Sequence, residues 1–198
     1  MISGPGIPDV VPPGRLADGE QPVLALPGGL ELRPWRLDDA DADALLAAGQ
    51  DPSISRWNLF TVAGRAEARA RIERLHARRR AETGVVWAVA PPGGAALGLA
   101  GLNDVDLAGG TAEVVYWVLP PARGNGVAVA AARRLSRWAL DELGLHRLDL
   151  YHSTANPASC RVAEKSGFAP EGTLRSAQLH ADGWHDLHLH ARVAGDPE

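Results

Sequence analysis

Leu30 to Trp35 alternates apolar and polar residues, the period of a strand with one buried face, and Arg33-Pro34 marks an edge position or the strand's end. Asp38 or Asp39 can then cap a helix through Ala40 to Ala48. Gly64 to Glu82 has helical spacing, with Ala66, Ala70 and Leu75 on one stripe and arginines elsewhere. Val85 to Ala90 and Ala96 to Asp104 read as strands separated by the turn Pro91-Pro92-Gly93-Gly94. Glu113 to Leu119, rich in β-branched and aromatic residues, is a further strand.

Beyond Pro120-Pro121 the period changes. Val127 to Leu143 predicts a helix whose apolar face holds Val127, Ala131, Leu135, Trp138 and Ala139; Arg133, Arg134, Arg137 and Asp141 lie away from it. Gly144 stands where a helix C-cap is needed. Arg147 to His152 is a strand, and Ala158 to Lys165 a short helix ended by Gly167. Leu174 to His180 and Trp184 to Val193 form a hairpin across Ala181-Asp182-Gly183. No internal repeat is present. An antiparallel meander followed by a strand–helix–strand crossover predicts a mixed sheet covered by helices.

The first 29 residues differ. Met1 to Gly29 is rich in Pro and Gly with little periodicity, an irregular arm in which Val23 to Leu26 adds a short strand. Residues 30–194 are then expected to form one domain, since 198 residues suit a single core and are short for two. No basic segment followed by an apolar one opens the chain, and no apolar run approaches the roughly 20 residues that span a bilayer. A soluble protein without a membrane partner is expected. A net charge of −4 gives no reason to expect nucleic acid as a partner. Cys160, the single cysteine, excludes an internal disulfide and a zinc site built on cysteines, and a reducing cytoplasm is the simplest compartment.

Arg123-Gly124-Asn125-Gly126-Val127-Ala128 lies between a strand and the first turn of a helix. Helix N-termini leave amide N–H groups unpaired and carry partial positive charge, and glycines without a Cβ let an anion approach. The loop therefore suits a diphosphate, although short Gly-x-Gly segments are commonly plain turns. A Walker loop needs a lysine, and none is here. A dinucleotide fingerprint finds Gly124, Gly126 and Asp149, but Val129 replaces its third glycine and two prolines separate the strand from the loop.

Several segments in order resemble the GNAT acetyltransferases, in particular the RimJ/RimL-like branch that acetylates ribosomal-protein N-termini. Ala112 to Val118 resembles the family's fourth strand, and Arg123-x-x-Gly126-x-Ala128 its pyrophosphate loop. Asn156-Pro157-Ala158-Ser159 and Arg161 to Phe168 resemble its closing Asn-x-x-Ser and Glu-Lys-x-Gly-Phe segments. Leu32-Arg33-Pro34-Trp35 resembles the usual opening strand. The resemblance implies an α/β (α+β) fold with a mixed sheet of six to seven strands flanked by about four helices, and acetyl-CoA as co-substrate. It implies that backbone groups of Trp117, Val118 and Leu119 pair with the pantetheine arm, that Arg123, Gly124, Asn125, Gly126, Val127 and Ala128 hold the pyrophosphate, that Asn156 bonds the arm or fixes the following helix, and that Ser159 donates to the departing sulfur. Asn156 and Ser159 also read as an N-cap and a first-turn residue.

The reaction so implied is acetyl transfer to a primary amine, a protein N-terminus or a small molecule, by direct attack in a ternary complex. An α-amine with a pKa of roughly 7.7–8.0 is about a tenth neutral at neutral pH; a lysine at roughly 10.4 is under about 0.1% neutral and needs a stronger base. Glu113 is the candidate base, acting through water, with an exposed strand-end carboxylate as the competing reading. Tyr116 is a weaker candidate, and nothing marks a general base for a covalent route through Cys160. Trp57, Asn58, Trp87, Trp184 and His185 are the candidate acceptor-binding residues. His188 and His190 share a strand face, compatible with a metal, but an exposed or substrate-facing surface is the simpler reading, and no metal is called for. Arg78-Arg79-Arg80 reads as a solvated helix end. A coenzyme-binding module without turnover and a transferase of succinyl or another acyl group stand as alternatives. The fold is compatible with a homodimer.

Overall fold

A computed structural model describes residues 6–197. It contains eight strands: β1 (Leu24–Leu26), β2 (Leu30–Pro34), β3 (Gly84–Ala90), β4 (Gly98–Asp106), β5 (Thr111–Val118), β6 (Arg147–Ser153), β7 (Ala169–His180) and β8 (Gly183–Val193). Five α-helices accompany them: α1 (Asp39–Gln50), α2 (Pro52–Asn58), α3 (Arg65–Arg80), α4 (Val127–Arg137) and α5 (Pro157–Lys165). The strands form one sheet in the order β1-β2-β3-β4-β5-β6-β8-β7, antiparallel throughout except for β5 beside β6. The mixed sheet is as expected. The helix absent from the sequence reading is α2, whose Pro52 start and Asp51 cap follow α1 directly; Asp51 accepts the N–H groups of Ser53 and Ile54 at 3.1 and 2.8 Å. β7 begins at Ala169, five residues before the expected hairpin strand.

Period-two alternation divides the core between the two faces of the sheet. Val85, Trp87, Val89, Leu102, Val114, Leu148 and Leu150 point to one face, where α4, the π-type turn Trp138–Leu143 that continues it, α5 and the N-terminal arm pack. Val86, Ala88, Leu99 and Trp117 point to the other, against Leu45 of α1 and Ile72 of α3. A buried ion pair joins the second layer to the sheet: Arg33 donates two 2.7 Å hydrogen bonds to Asp41 in the first turn of α1. Burial raises the pKa of Asp41, but the bonds from Arg33 and from the Arg36 amide outweigh it, so the carboxyl stays below its usual range.

From residue 6 to β1 the arm is irregular, yet it is fastened at several points. Val10 and Val11 donate backbone bonds to Ala108 and Leu107, and Val11 and Leu16 are buried in the core. The Glu82 carboxylate accepts the N–H groups of Gly14, Leu16 and Ala17 at 2.7, 2.8 and 3.1 Å. A segment with no ladder of its own meets its backbone needs through a side-chain acceptor.

Between β5 and β6 the sheet opens. Their register covers only Thr111–Arg147, Ala112–Leu148 and Glu113–Asp149. Beyond Glu113, β5 continues along β4 and β6 continues along β8. The edge of β5 from Val114 onward therefore faces a gap instead of a neighbouring strand.

Candidate active site

The gap leads into a cleft with two lobes. One, about 530 Å³, is walled by Tyr116 to Val118, the loop from Arg123, the start of α4 and the first turns of α5. The other, about 540 Å³, lies among α1, α2, α3, β5, β6 and β7. Trp57, Asn58, Tyr116, Trp117 and Asn156 line both lobes and mark their junction.

At the first lobe, Gly124 and Gly126 have φ of +84° and +73°, the left-handed region that a β-carbon disfavours. Gly126 is the N-cap of α4 and no side chain caps the helix, so its leading amides stay available. The Arg123 side chain turns back from the loop: Nε donates to the Val118 carbonyl, and the guanidinium pairs with Asp51 at 2.9 Å. Burial pushes the Asp51 carboxyl up, but bonds from Ser53, Arg123 and Ile54 prevail and hold it at about 2.

The strand edge differs in detail from the expectation. The Leu119 N–H donates to the Leu97 carbonyl of the β4 side, so Leu119 does not serve the gap. Alternation along an antiparallel pair then turns the backbone groups of Trp117 toward β4 as well and those of Tyr116 and Val118 toward the opening. The Trp117 ring is buried against Trp35 and Phe60. Val127 is buried under the first turn of α4, so only its backbone can meet a ligand there.

Across the gap, the Asn156 side chain accepts the Ser159 N–H at 3.2 Å and caps α5. Ser159 Oγ lies 2.7 Å from the Tyr116 hydroxyl. Burial drives the Tyr116 pKa up to about 12, moderated by the Ser159 bond, so the phenol keeps its proton at neutral pH. In the sequence Tyr116 reads as core, as an aromatic on a central strand does; only the approach of α5 brings its hydroxyl into the cleft.

Glu113 occupies the second lobe with Arg78 and Asn103. Burial, then the neighbouring charges of Asp104 and Asp149, raise its pKa to about 7; Arg78 opposes them. Alternation along β5 places Glu113 on the α1–α3 face and Tyr116 on the α4–α5 face, so the gap is a passage through the sheet with a carboxyl on one side and a hydroxyl pair on the other. Arg78, read as part of a solvated helix end, instead donates to Asn103 at 2.9 Å beside Glu113.

The candidate acceptor residues separate. Trp57 packs edge-on against His180 and His185 at 5.8 and 6.2 Å. His185 is held between Ser153 Oγ at 2.7 Å and Asp182 at 2.9 Å, and Arg56 pairs with Asp182, which ties α2 to the β7–β8 hairpin. Trp184 stands exposed near the hairpin tip and lines neither lobe. Trp87 must be reassigned. Its odd position on β3 turns it to the opposite face, where it is fully buried, stacks edge-on against Trp138 at 4.8 Å and donates Nε1–H to the Pro22 carbonyl. No helix among the described residues is long and apolar enough to cross a membrane.

The acetyltransferase (GNAT) domain family matches residues 29–169, which include β2 to β6, the uncapped loop and α5. The chain belongs to this family. A GNAT relative, the ribosomal-protein-serine acetyltransferase of Escherichia coli strain K12, is 30% identical over 97 residues, 49% of this chain and 54% of that protein. The uncharacterized N-acetyltransferase YoaA of Bacillus subtilis strain 168 is 25% identical over 160 residues, 80% of this chain and 90% of that one. The chain spans about half the length of most of the curated relatives it matches. The GNAT fold is seen again in RimL, a ribosomal L7/L12 alpha-N-protein acetyltransferase solved with coenzyme A. It superposes with a TM-score of 0.78 at 18% identity, over 89% of this chain and all of that one. Eight strands and five helices are somewhat more than the six to seven and about four expected, within the same fold.

Proposed function

We propose that the protein is an acetyl-CoA-dependent N-acetyltransferase whose acceptor is the α-amino group of a protein N-terminus. The observation that carries this reading is the passage between β5 and β6, with a free strand edge and uncapped helix amides on one side and Glu113 on the other. The pantetheine arm adds to the edge at Tyr116 and Val118, and the pyrophosphate takes the amides of residues 124–128. Arg123 releases the Val118 carbonyl as the arm docks. Glu113, through a water, removes a proton from the amine; the nitrogen attacks the thioester carbonyl, the C–N bond forms and the C–S bond breaks. Ser159 protonates the leaving thiolate and is reprotonated through the Tyr116 hydroxyl, which relays the second proton shed by the nitrogen by way of water, so the phenol ends protonated. A base of pKa about 7 is matched to an α-amine and poorly matched to a lysine.

The ribosomal acceptors named for the relatives support a protein substrate over a small amine. The single cysteine fits a reducing cytoplasm. The exposed outer strand β7, with Leu174 and Leu179 uncovered, is the edge on which a homodimer would pair. The test is release of coenzyme A thiol from acetyl-CoA across N-terminal peptides, lysine peptides and small amines. Turnover with N-terminal peptides is expected. Tight coenzyme binding with no thiol release from any acceptor would instead make the protein a binding module.

A further inference from the structure

On the α5 side of the sheet, three histidines and the single cysteine converge. His152 on β6 lies opposite His188 on β8, and His190 follows two positions along, so all three share one face. α5 covers that face and brings Cys160 to it. One donor atom from each of the four lies within 4.8 Å of every other. The reading of His188 and His190 as an exposed surface fails for His190, which is 2% exposed, and its neighbour His152 is 6% exposed.

Hydrogen bonds decide what these rings present to one another. His152 Nδ1 is 3.0 Å from the Ser153 carbonyl and His190 Nδ1 is 3.4 Å from the Phe168 carbonyl. A carbonyl only accepts, so each Nδ1 holds the proton and, in a neutral ring, each Nε2 is a bare acceptor. The two Nε2 atoms nevertheless stand 3.2 Å apart. Two lone pairs aimed at each other in a buried site repel, and a cation bound to both removes the conflict. The separation also suits two nitrogens on one tetrahedral ion, each at roughly 2.0–2.1 Å. A ring whose far nitrogen donates to a backbone carbonyl is the posture that metal-bound histidines adopt.

We propose that His152, His188, His190 and Cys160 form a site for one zinc ion, held by three imidazole nitrogens and a thiolate. Imidazole and thiolate donors select zinc over magnesium or calcium, which take oxygen. On binding, the Cys160 thiol, now 3.7 Å from the Glu164 carboxylate, loses its proton to solvent and its sulfur joins the metal. Four protein ligands complete the tetrahedron and leave no position for substrate, so the ion is structural. It pins the first turn of α5, which carries Ser159 next to Cys160, to β6 and β8.

The experiment uses the untagged full chain, freed of metal by chelation and titrated with Co²⁺ as an optical probe, then with Zn²⁺. One Co²⁺ per chain is expected, with the visible bands of a tetrahedral site and a thiolate-to-cobalt charge-transfer band, all displaced by Zn²⁺. Cys160→Ser removes the charge-transfer band, and both it and His188→Asn, at half-exposed positions, weaken binding at least about tenfold. Zinc also raises the melting temperature of the parent chain more than that of Cys160→Ser. Absence of tetrahedral bands, which would leave a shared proton between His152 and His190, overturns the site. So does a spectrum unchanged by Cys160→Ser, which would place the ion away from this cluster.

Discussion

The lobe proposed for the coenzyme and the lobe proposed for the acceptor meet at Trp57 and Tyr116, yet they are made differently. The first is built largely from one stretch of chain, Arg123, Gly124, Gly126 and the start of α4, faced by the first turns of α5, and what it offers is chiefly backbone: uncapped amides, two left-handed glycines and a strand edge. The second draws Leu45, Trp57, Arg78, Glu113, Ser153 and Gln178 from separate elements and offers side chains. Backbone recognition needs a local conformation, which a short motif can encode. Side-chain recognition needs several elements to arrive together, and no short motif records that.

Substitutions that strike one lobe alone break or sharpen this contrast. The largest effect is expected from Glu113→Gln, which should lower kcat/KM by roughly 10²–10⁴ while acetyl-CoA binding is unchanged in calorimetry. In the parent chain the proposed reaction should quicken with pH through about 7 as the carboxyl ionises, and this limb should vanish in the variant. Stability carries the opposite slope. Between the ordinary value of 4.5 and about 7 the folded carboxyl keeps a proton that the unfolded one has lost, so stability falls as pH rises across that window. Glu113→Gln should flatten that fall in urea titrations.

Ser159→Ala comes next, with kcat reduced by about 10² and coenzyme affinity retained; Tyr116→Phe should reproduce part of that loss. Unchanged turnover in both would remove the hydroxyl pair from the chemistry. Gly126→Val should act on the other term. A β-branched residue at φ +73° costs about 1–2 kcal/mol; a loop that relaxes to shed this strain must regain it to hold the coenzyme, which should then bind about tenfold more weakly with the chemical step intact. The smallest effect belongs to the hairpin tip. Trp184→Ala should change stability by less than about 0.5 kcal/mol, whereas Trp87→Ala should cost about 3–5 kcal/mol in chemical denaturation and leave acceptor KM alone.

The two tryptophans show where reading a sequence stops. Both are large aromatics on strands beside the expected groove, and composition cannot separate them. The separation comes from strand phase: Val85, Trp87 and Val89 turn to the face covered by α4 and the arm, while Val86 and Ala88 turn to the acceptor side. β3 is apolar on both faces, so no alternation in the sequence betrays its phase. Arg78 is lost for a related reason. A helix-terminal arginine looks solvated until Asn103 and Glu113 arrive from strands packed beneath it.

Local chemistry was written in the sequence: the uncapped loop with its left-handed glycines, the Asn156 cap before Ser159, the turn at Asp182-Gly183 and the periods that name most strands and helices. These depend on neighbours in the chain, whose geometry a few torsion angles determine. Tertiary structure alone decided the passage between β5 and β6, the raised pKa of Glu113, the pairing of Tyr116 with Ser159 and the meeting of His152 with His190. Each of these depends on burial or on contact between elements distant in sequence, and burial exists only once the chain has closed around the group.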